Sequence, residues 1–298
     1  MAHSLLAGRS RARRVLGTGA FAIVLFVAAK VGYKPAGGVL FGFILLTPLE
    51  RIFRRHNQPV RRPGLRTDVV HLLFTSALAT AASIVPVIVG FVVTRPLPRL
   101  DGVVAQWPLG LQAVWALLWI ELAVYWAHRL LHRVPLFWRF HKIHHSSQRL
   151  DWIAGARVHP FDRAIGVGIA VVPAFLLGVR PVQFGAFAAI QGTVAVLLHA
   201  NVRWRLRPLG RVVATTEFHH WHHSLGDDAR DANYAAFLPI FDVIFGTYHM
   251  PHDARPERYG VWDHVPPGWW AQIKDPFRDR EAAPTIARGS FDTLPVPF

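Results

Sequence analysis

Apolar positions along the chain come in long runs, not in the short alternations of half-buried strands. The runs cover residues 15–29, 35–49, 69–94, 102–126, 164–179 and 181–202. The clearest is 69–94, which is 26 residues without Asp, Glu, Lys or Arg. That exceeds the roughly 20 residues a helix needs to cross the hydrocarbon core. Runs of this length predict helices, because an open strand could not satisfy its backbone polar groups in lipid. The expected fold is all-α: a polytopic membrane helical bundle of about four spans plus a helical hairpin from 164–202, with a His-rich helical cap.

Charge orients this path. Four Arg precede the first run, at 9, 11, 13 and 14, and six lie at 51, 54, 55, 61, 62 and 66. The intervening connections carry only Lys30 and Lys34, then Arg95 and Arg99. Basic residues favour the cytoplasmic side, so the N-terminus and the cap are expected there, at what composition suggests is a bacterial inner membrane. The net charge of +15 is then explained by span flanks; no nucleic-acid-binding pattern accompanies it. Three regions are expected: membrane spans and basic loops at 1–108, a catalytic region at 109–275 with its core at 121–251, and a loose tail at 276–298.

The chain has no cysteine, so disulfides, thiolate haem and Cys-held clusters are excluded. Any metal must be held by nitrogen and oxygen. Against that stand 17 histidines. They concentrate in three boxes: His128 and His132; His141, His144 and His145; and His219, His222 and His223. Residues three or four apart share a helix face, so each box is expected to aim its rings at one point. His220 falls off that face. His199 ends the returning run and brings the candidates to nine. One ion takes four to six ligands, so nine argue for two metals. Imidazole suits iron, zinc, copper and nickel. A lone His beside a span is ordinarily an interfacial amphipathic residue, the reading given to His3, His56 and His71. His249, His252 and His264 lack ligand spacing.

Set among membrane spans, the boxes resemble those of the fatty acid hydroxylase/sterol desaturase superfamily over about 130 residues, from Glu121 to Pro251. Also similar are the segments 150–160, 217–219, 231–234, 245–248 and 255–260. Three residues between His128 and His132 place the chain nearer the hydroxylases than the acyl-CoA desaturases. The resemblance implies a membrane-bound non-haem di-iron oxygenase with two iron ions, dioxygen as co-substrate and ligands at the nine His above. It further implies that a lipid C–H bond is hydroxylated.

Ligand imidazoles are commonly fixed by acceptors on their second nitrogen. Glu217, Asp151, Asp162, Asp227 and Asp228 are candidates for that role, Asn201 and Asn233 for holding a metal-bound water, and His159 for supporting the ligands, with a tenth ligand or a substrate-pocket residue as its alternatives. Glu121, two helical turns before His128, is expected to pair with a nearby His or Arg. No dinucleotide-binding turn is present, so electrons must come from a separate donor, a ferredoxin or cytochrome with its reductase. Within the enzyme class the competing reading is a lipid desaturase with the same centre. Outside it stand a metal transporter and an inactive membrane scaffold, both disfavoured by complete boxes gathered at one depth.

Overall fold

The computed structural model describes residues 34–278, apart from positions 207 and 230. The first apolar run, most of the expected tail, and His3 lie outside the described residues. The chain divides into two units, residues 1–48 and 49–298. Among the described residues the regular structure is helical, with two isolated bridges and no strand. The helices are α1 (Lys34–Ile52), α2 (Leu65–Thr94), α3 (Asp101–Val104), α4 (Leu109–Arg133), α5 (Pro135–His145), α6 (Pro160–Leu176), α7 (Pro181–Leu198), α8 (Thr216–His222), α9 (Ile240–Ile244) and α10 (Trp269–Lys274).

Three of these are long and apolar enough to cross a membrane: α2, α4 and α7. They mark an integral membrane protein. Helix α2 starts at Gly64, whose φ of 83° suits only glycine, and passes through a π turn over His71–Thr75. Its 30 residues span about 45 Å at the α-helical rise. Helix α6 has 17 residues, about 26 Å, which falls short of a roughly 30 Å hydrocarbon core.

Helix α6 lies mainly against α2 and α4. Small residues make the fit close. Ala116, Ala123 and Ala127 of α4 meet Ala170 and Ala174 of α6 in one buried cluster with Ile120, Val171 and Phe175. Gly90 of α2 sits against α6 so closely that a Cβ there would lie 2.6 Å from Val171. Backbone approach through small residues is how helices pack where lipid removes the hydrophobic drive. The outer face of α2 stays exposed and apolar, at Ile84, Val85, Ile88, Val89 and Val92.

A polar framework lies at one end of the second unit. Arg62, before α2, is fully buried and joins Asp68 at 2.7 Å and Asp151 at 2.6 Å. Arg157 joins Asp68 from the other side. Glu50 accepts the backbone N–H of Trp152 and of Asn201, each at 2.8 Å. These contacts tie the start of α2 to segment 150–157, and Glu50 to that segment and to Asn201 just past α7. His71, expected at an interface, is instead wholly buried, paired with Gln272 at 2.9 Å and with Thr75 at 3.1 Å. One partner, Thr75, is a helical turn away, and the other, Gln272, is about 200 residues on, which the local pattern does not reveal. His56 likewise bonds the Tyr259 hydroxyl at 2.9 Å.

Candidate metal centre

The nine expected His converge, in two groups. His128, His132, His141, His145 and His222 form one; His144, His199, His219 and His223 form the other. Within each group, one ring nitrogen per residue lies within 4.8 Å of all the others. The boxes do not each serve one point, as the sequence suggested. Every pair from one helix within a group is spaced by four: 128 and 132, 141 and 145, 219 and 223. His144 and His222 cross to the opposite group. The reason is helical rotation of about 100° per residue. Residues four apart diverge by about 40°, whereas neighbours such as His144 and His145 diverge enough to straddle two points. Helices α5 and α8 therefore each feed both groups, and His145 and His223 stack between them with ring centroids 4.2 Å apart.

Six of the nine rings have an acceptor beside the outer nitrogen, whereas Nδ1 of His223 is buried without a hydrogen-bond partner. His128 Nδ1 donates to the Tyr234 carbonyl at 2.7 Å and His222 Nδ1 to the Ala232 carbonyl at 2.8 Å. His144 Nδ1 donates to the Arg157 carbonyl at 3.2 Å and His199 Nδ1 to the Ala195 carbonyl at 2.6 Å. His141 Nδ1 faces both oxygens of Asp162 at 3.2 Å, and His132 Nδ1 lies 3.7 Å from Asp231. A carbonyl can only accept, so the proton is on Nδ1 and the Nε2 lone pair points inward.

The inward atoms are crowded. In the first group, Nε2 of His141 lies 3.1 Å from that of His128 and 3.2 Å from that of His145. In the second, Nε2 of His199 lies 3.1 Å from those of His223 and His219. Two inward lone pairs repel unless something positive lies between them. Nitrogens bonded to one ion at about 2.1 Å are separated by about 3.0 Å at right angles and about 3.4 Å at tetrahedral angles. The observed spacing matches. Nε2 of His132 and of His222 are buried with no hydrogen-bond partner. The donor set fits a nitrogen-ligated metal.

Outside the spans, burial pulls His144, His145, His219, His222 and His223 well below the usual histidine value, and the surrounding imidazoles pull them further. Burial brings His199 down to about 4. These rings are neutral at pH 7, the protonation state a metal ligand needs.

The supporting residues partly depart from expectation. Asp162 faces a ring of the first group, as proposed for it. Asp151 instead holds Arg62. Glu121 meets neither His nor Arg; its Oε2 accepts the backbone N–H of Phe237 and Leu238, each at 2.9 Å. Asn201 clasps the backbone of His56 through both its oxygen and its nitrogen at 2.9 Å. His159 caps α6 by accepting Phe161 N–H at 3.1 Å and donates to the Ile273 carbonyl. Both Asn201 and His159 thus spend their polar atoms on backbone and none on the nine rings. Glu217 is buried in the first turn of α8, two residues before His219. His220 lies outside both groups, between the Tyr259 hydroxyl at 2.8 Å and the Ala200 carbonyl at 3.1 Å.

Segment 231–234 contributes more than its residue types announced. Asp231 and Asn233 both take φ of 60°, a region Asp and Asn tolerate better than other residues with a Cβ. The segment turns the carbonyls of Ala232 and Tyr234 onto His222 and His128 while presenting Asp231 to His132. Asp242 holds it by accepting Tyr234 N–H at 2.7 Å and Ala235 N–H at 2.9 Å. Asn233 donates to the carbonyls of Phe218 and His249, and accepts His249 N–H at 2.7 Å. Gly155 serves the second group: a Cβ there would lie 2.7 Å from His199 Nδ1.

Comparison with known proteins follows the same residues. The fatty acid hydroxylase family matches residues 113–247, from within α4 to just past α9. An ornithine lipid hydroxylase, OlsE, of Rhizobium tropici is 36% identical over 172 residues, 58% of this chain and 52% of that protein. Human alkylglycerol monooxygenase is 28% identical over 138 residues, 46% of this chain and 31% of that protein. The Arabidopsis thaliana protein CER1-like 2 is 31% identical over 166 residues, 52% of this chain and 25% of that protein. The chain thus spans about half the length of the first of these and a third or less of the others. No solved structure matches it. The match to the fatty acid hydroxylase family spans all nine clustered histidines: seven on α4, α5 and α8, His199 between them and His223 just past α8.

Proposed function

We propose that this protein is a membrane-bound lipid hydroxylase whose nine clustered histidines hold two iron ions. The carrying observation is the arrangement of the rings: two groups of five and four, inward nitrogens at metal-ligand spacing, and six outer nitrogens facing carbonyls or carboxylates. When bound, two iron ions supply the oxidising power that an inert C–H bond requires, with dioxygen as oxidant and electrons from a separate donor. The chain's own residues do the rest. The neutral rings offer lone pairs without first losing a proton. Tyr234, Ala232, Arg157 and Ala195 hold ring orientation through backbone carbonyls, which no change of pH removes. Asp162 and Asp231 place negative charge behind His141 and His132, which raises the basicity of those rings toward a cation.

The substrate class follows from placement. Helices α2, α4 and α7 expose apolar faces suited to lipid, and α4 runs from such a face directly into His128 and His132. The relatives act on lipids by name: an ornithine lipid and alkylglycerols. The ligand groups are proposed to face the cytoplasm, where the flanking Arg residues would favour anionic head groups. The reading is tested by expressing the protein in bacterial membranes under 18O2 and analysing the extracted lipids. A hydroxylated lipid carrying 18O, absent with His144→Ala, is expected. A lipid profile indistinguishable from the variant's, in cells that supply iron and reductant, contradicts it.

A further inference from the structure

One pocket reaches the first His group and not the second. It has a volume of about 160 Å³, and its floor includes His132, His145 and His222. None of His144, His199, His219 and His223 lines it. Its lining also includes Asp227, Asp231 and Asp263 and, among the described residues, no Lys or Arg. That is against the grain of the chain, which has 33 Lys and Arg to 18 Asp and Glu. Arg133 approaches from outside, 3.5 Å from Asp231, with over half of its side chain exposed.

A carboxylate cluster alone is a common surface feature. Here a second observation points inward. The Nε2 atoms of His132 and His222 are buried and without a hydrogen-bond partner. The His132 side chain is 6% exposed and His222 is 5% exposed. The pocket therefore brings carboxylates together with the rings of His132 and His222, whose Nε2 atoms are unpartnered. Oxygen donors suit a cation still carrying water; imidazole suits one that has shed it. Asp231 joins the two kinds of donor, since its other neighbour is His132 Nδ1 at 3.7 Å. Asp263 fixes the wall by accepting from Trp138 Nε1 at 2.8 Å.

We infer that this pocket is an entry port for a hydrated divalent cation, which the three carboxylates capture and pass to the first His group. The inference rests on the proposed dinuclear reading and adds a route and an order. The first group loads and exchanges through the port. The second group, with no opening of its own in that pocket, fills more slowly. Carboxylates at a low-dielectric mouth raise the capture rate by focusing the field, an effect that falls with ionic strength.

The test uses metal-free full-length protein in detergent, mixed with Co2+ and followed through the cobalt–imidazole absorption. Two ions are expected to enter in two phases, the faster one slowing as salt is added. Asp227 is exposed and belongs to neither His group, so its substitution removes no ligand. Asp227→Asn should slow the fast phase about threefold and Asp227→Lys about tenfold or more, both ending at the wild-type cobalt content. Fast-phase rates equal within error in wild type and both variants overturn the port. Entry of both ions in a single salt-independent phase overturns it as well. Protein that is folded by circular dichroism yet takes up no cobalt overturns the dinuclear reading itself, and the port with it.

Discussion

The two His groups are built from the same residue type and share two helices, yet they are supported differently. The first is oriented from outside its helices, by segment 231–234 and by Asp162. The second leans on nearer backbone: Ala195 lies one turn before His199 on α7, and the Arg157 carbonyl follows the turn in which Gly155 abuts the His199 ring. The first group also faces the acidic pocket. The contrast teaches that ligand identity does not determine a centre's rigidity or accessibility. Those properties come from what holds the outer nitrogens, and here one group is held largely by a distant loop, the other by a helix turn at His199 and the Arg157 carbonyl at His144.

The sharpest way to break the contrast is to delete one ligand from each side. His132→Ala should cost one of the two metals, His199→Ala should cost the other, and either should abolish product. Metal analysis and an 18O assay check this. If either variant loses both metals while staying folded, the groups are not separable.

A subtler cut acts behind the rings. Asp162→Asn should weaken metal binding about 10- to 100-fold at the first group only. Gly155→Ala should disturb only the second, because the new Cβ would have to displace the His199 ring it meets at 2.7 Å. Competition with a chelator, read at the two sites separately, distinguishes them.

Acidity should act on both groups together. The rings outside the spans are held below their unfolded value near 6.5, His199 at about 4. As pH falls below 6.5 the unfolded chain takes up protons that the folded rings refuse. The unfolded state then binds more protons, so folding stability declines from pH 7 toward 4. Metal-free protein should melt about 5 °C or more lower at pH 5 than at pH 7 by calorimetry. Bound metal should be released over the same range.

The smallest effect on the centre belongs to Gly90→Ala. Its Cβ meets Val171 at the α2–α6 contact, away from both groups. A loss of about 1–3 kcal/mol in stability with unchanged metal content is expected. Reduced metal content would show that the groups depend on helix packing far from them.

Much of this arrangement was legible from residue order. The run at 69–94 announced α2, and the box spacing announced eight converging rings, with His199 added by its place at the end of a span. The assignment of rings to two groups follows from helical rotation, because residues four apart stay together and adjacent ones separate. What turns those rings was not legible. Tyr234 and Ala232 act through backbone carbonyls, which carry no side-chain signature, and they come from a loop about 100 residues beyond His128. Glu121 invited a charged partner but serves two backbone N–H groups, because the loop at 237–238 would otherwise bury them unsatisfied. His159, Asn201 and His71 were similarly spent on tertiary contacts that only the folded chain displays.

The most direct measurement of the central claim is the metal content and Mössbauer spectrum of protein purified from cells grown on 57Fe. The account predicts two irons per chain, all nitrogen-ligated, falling to one in both His132→Ala and His199→Ala. A single iron in the wild-type protein, or none in protein that is folded and intact, would contradict it.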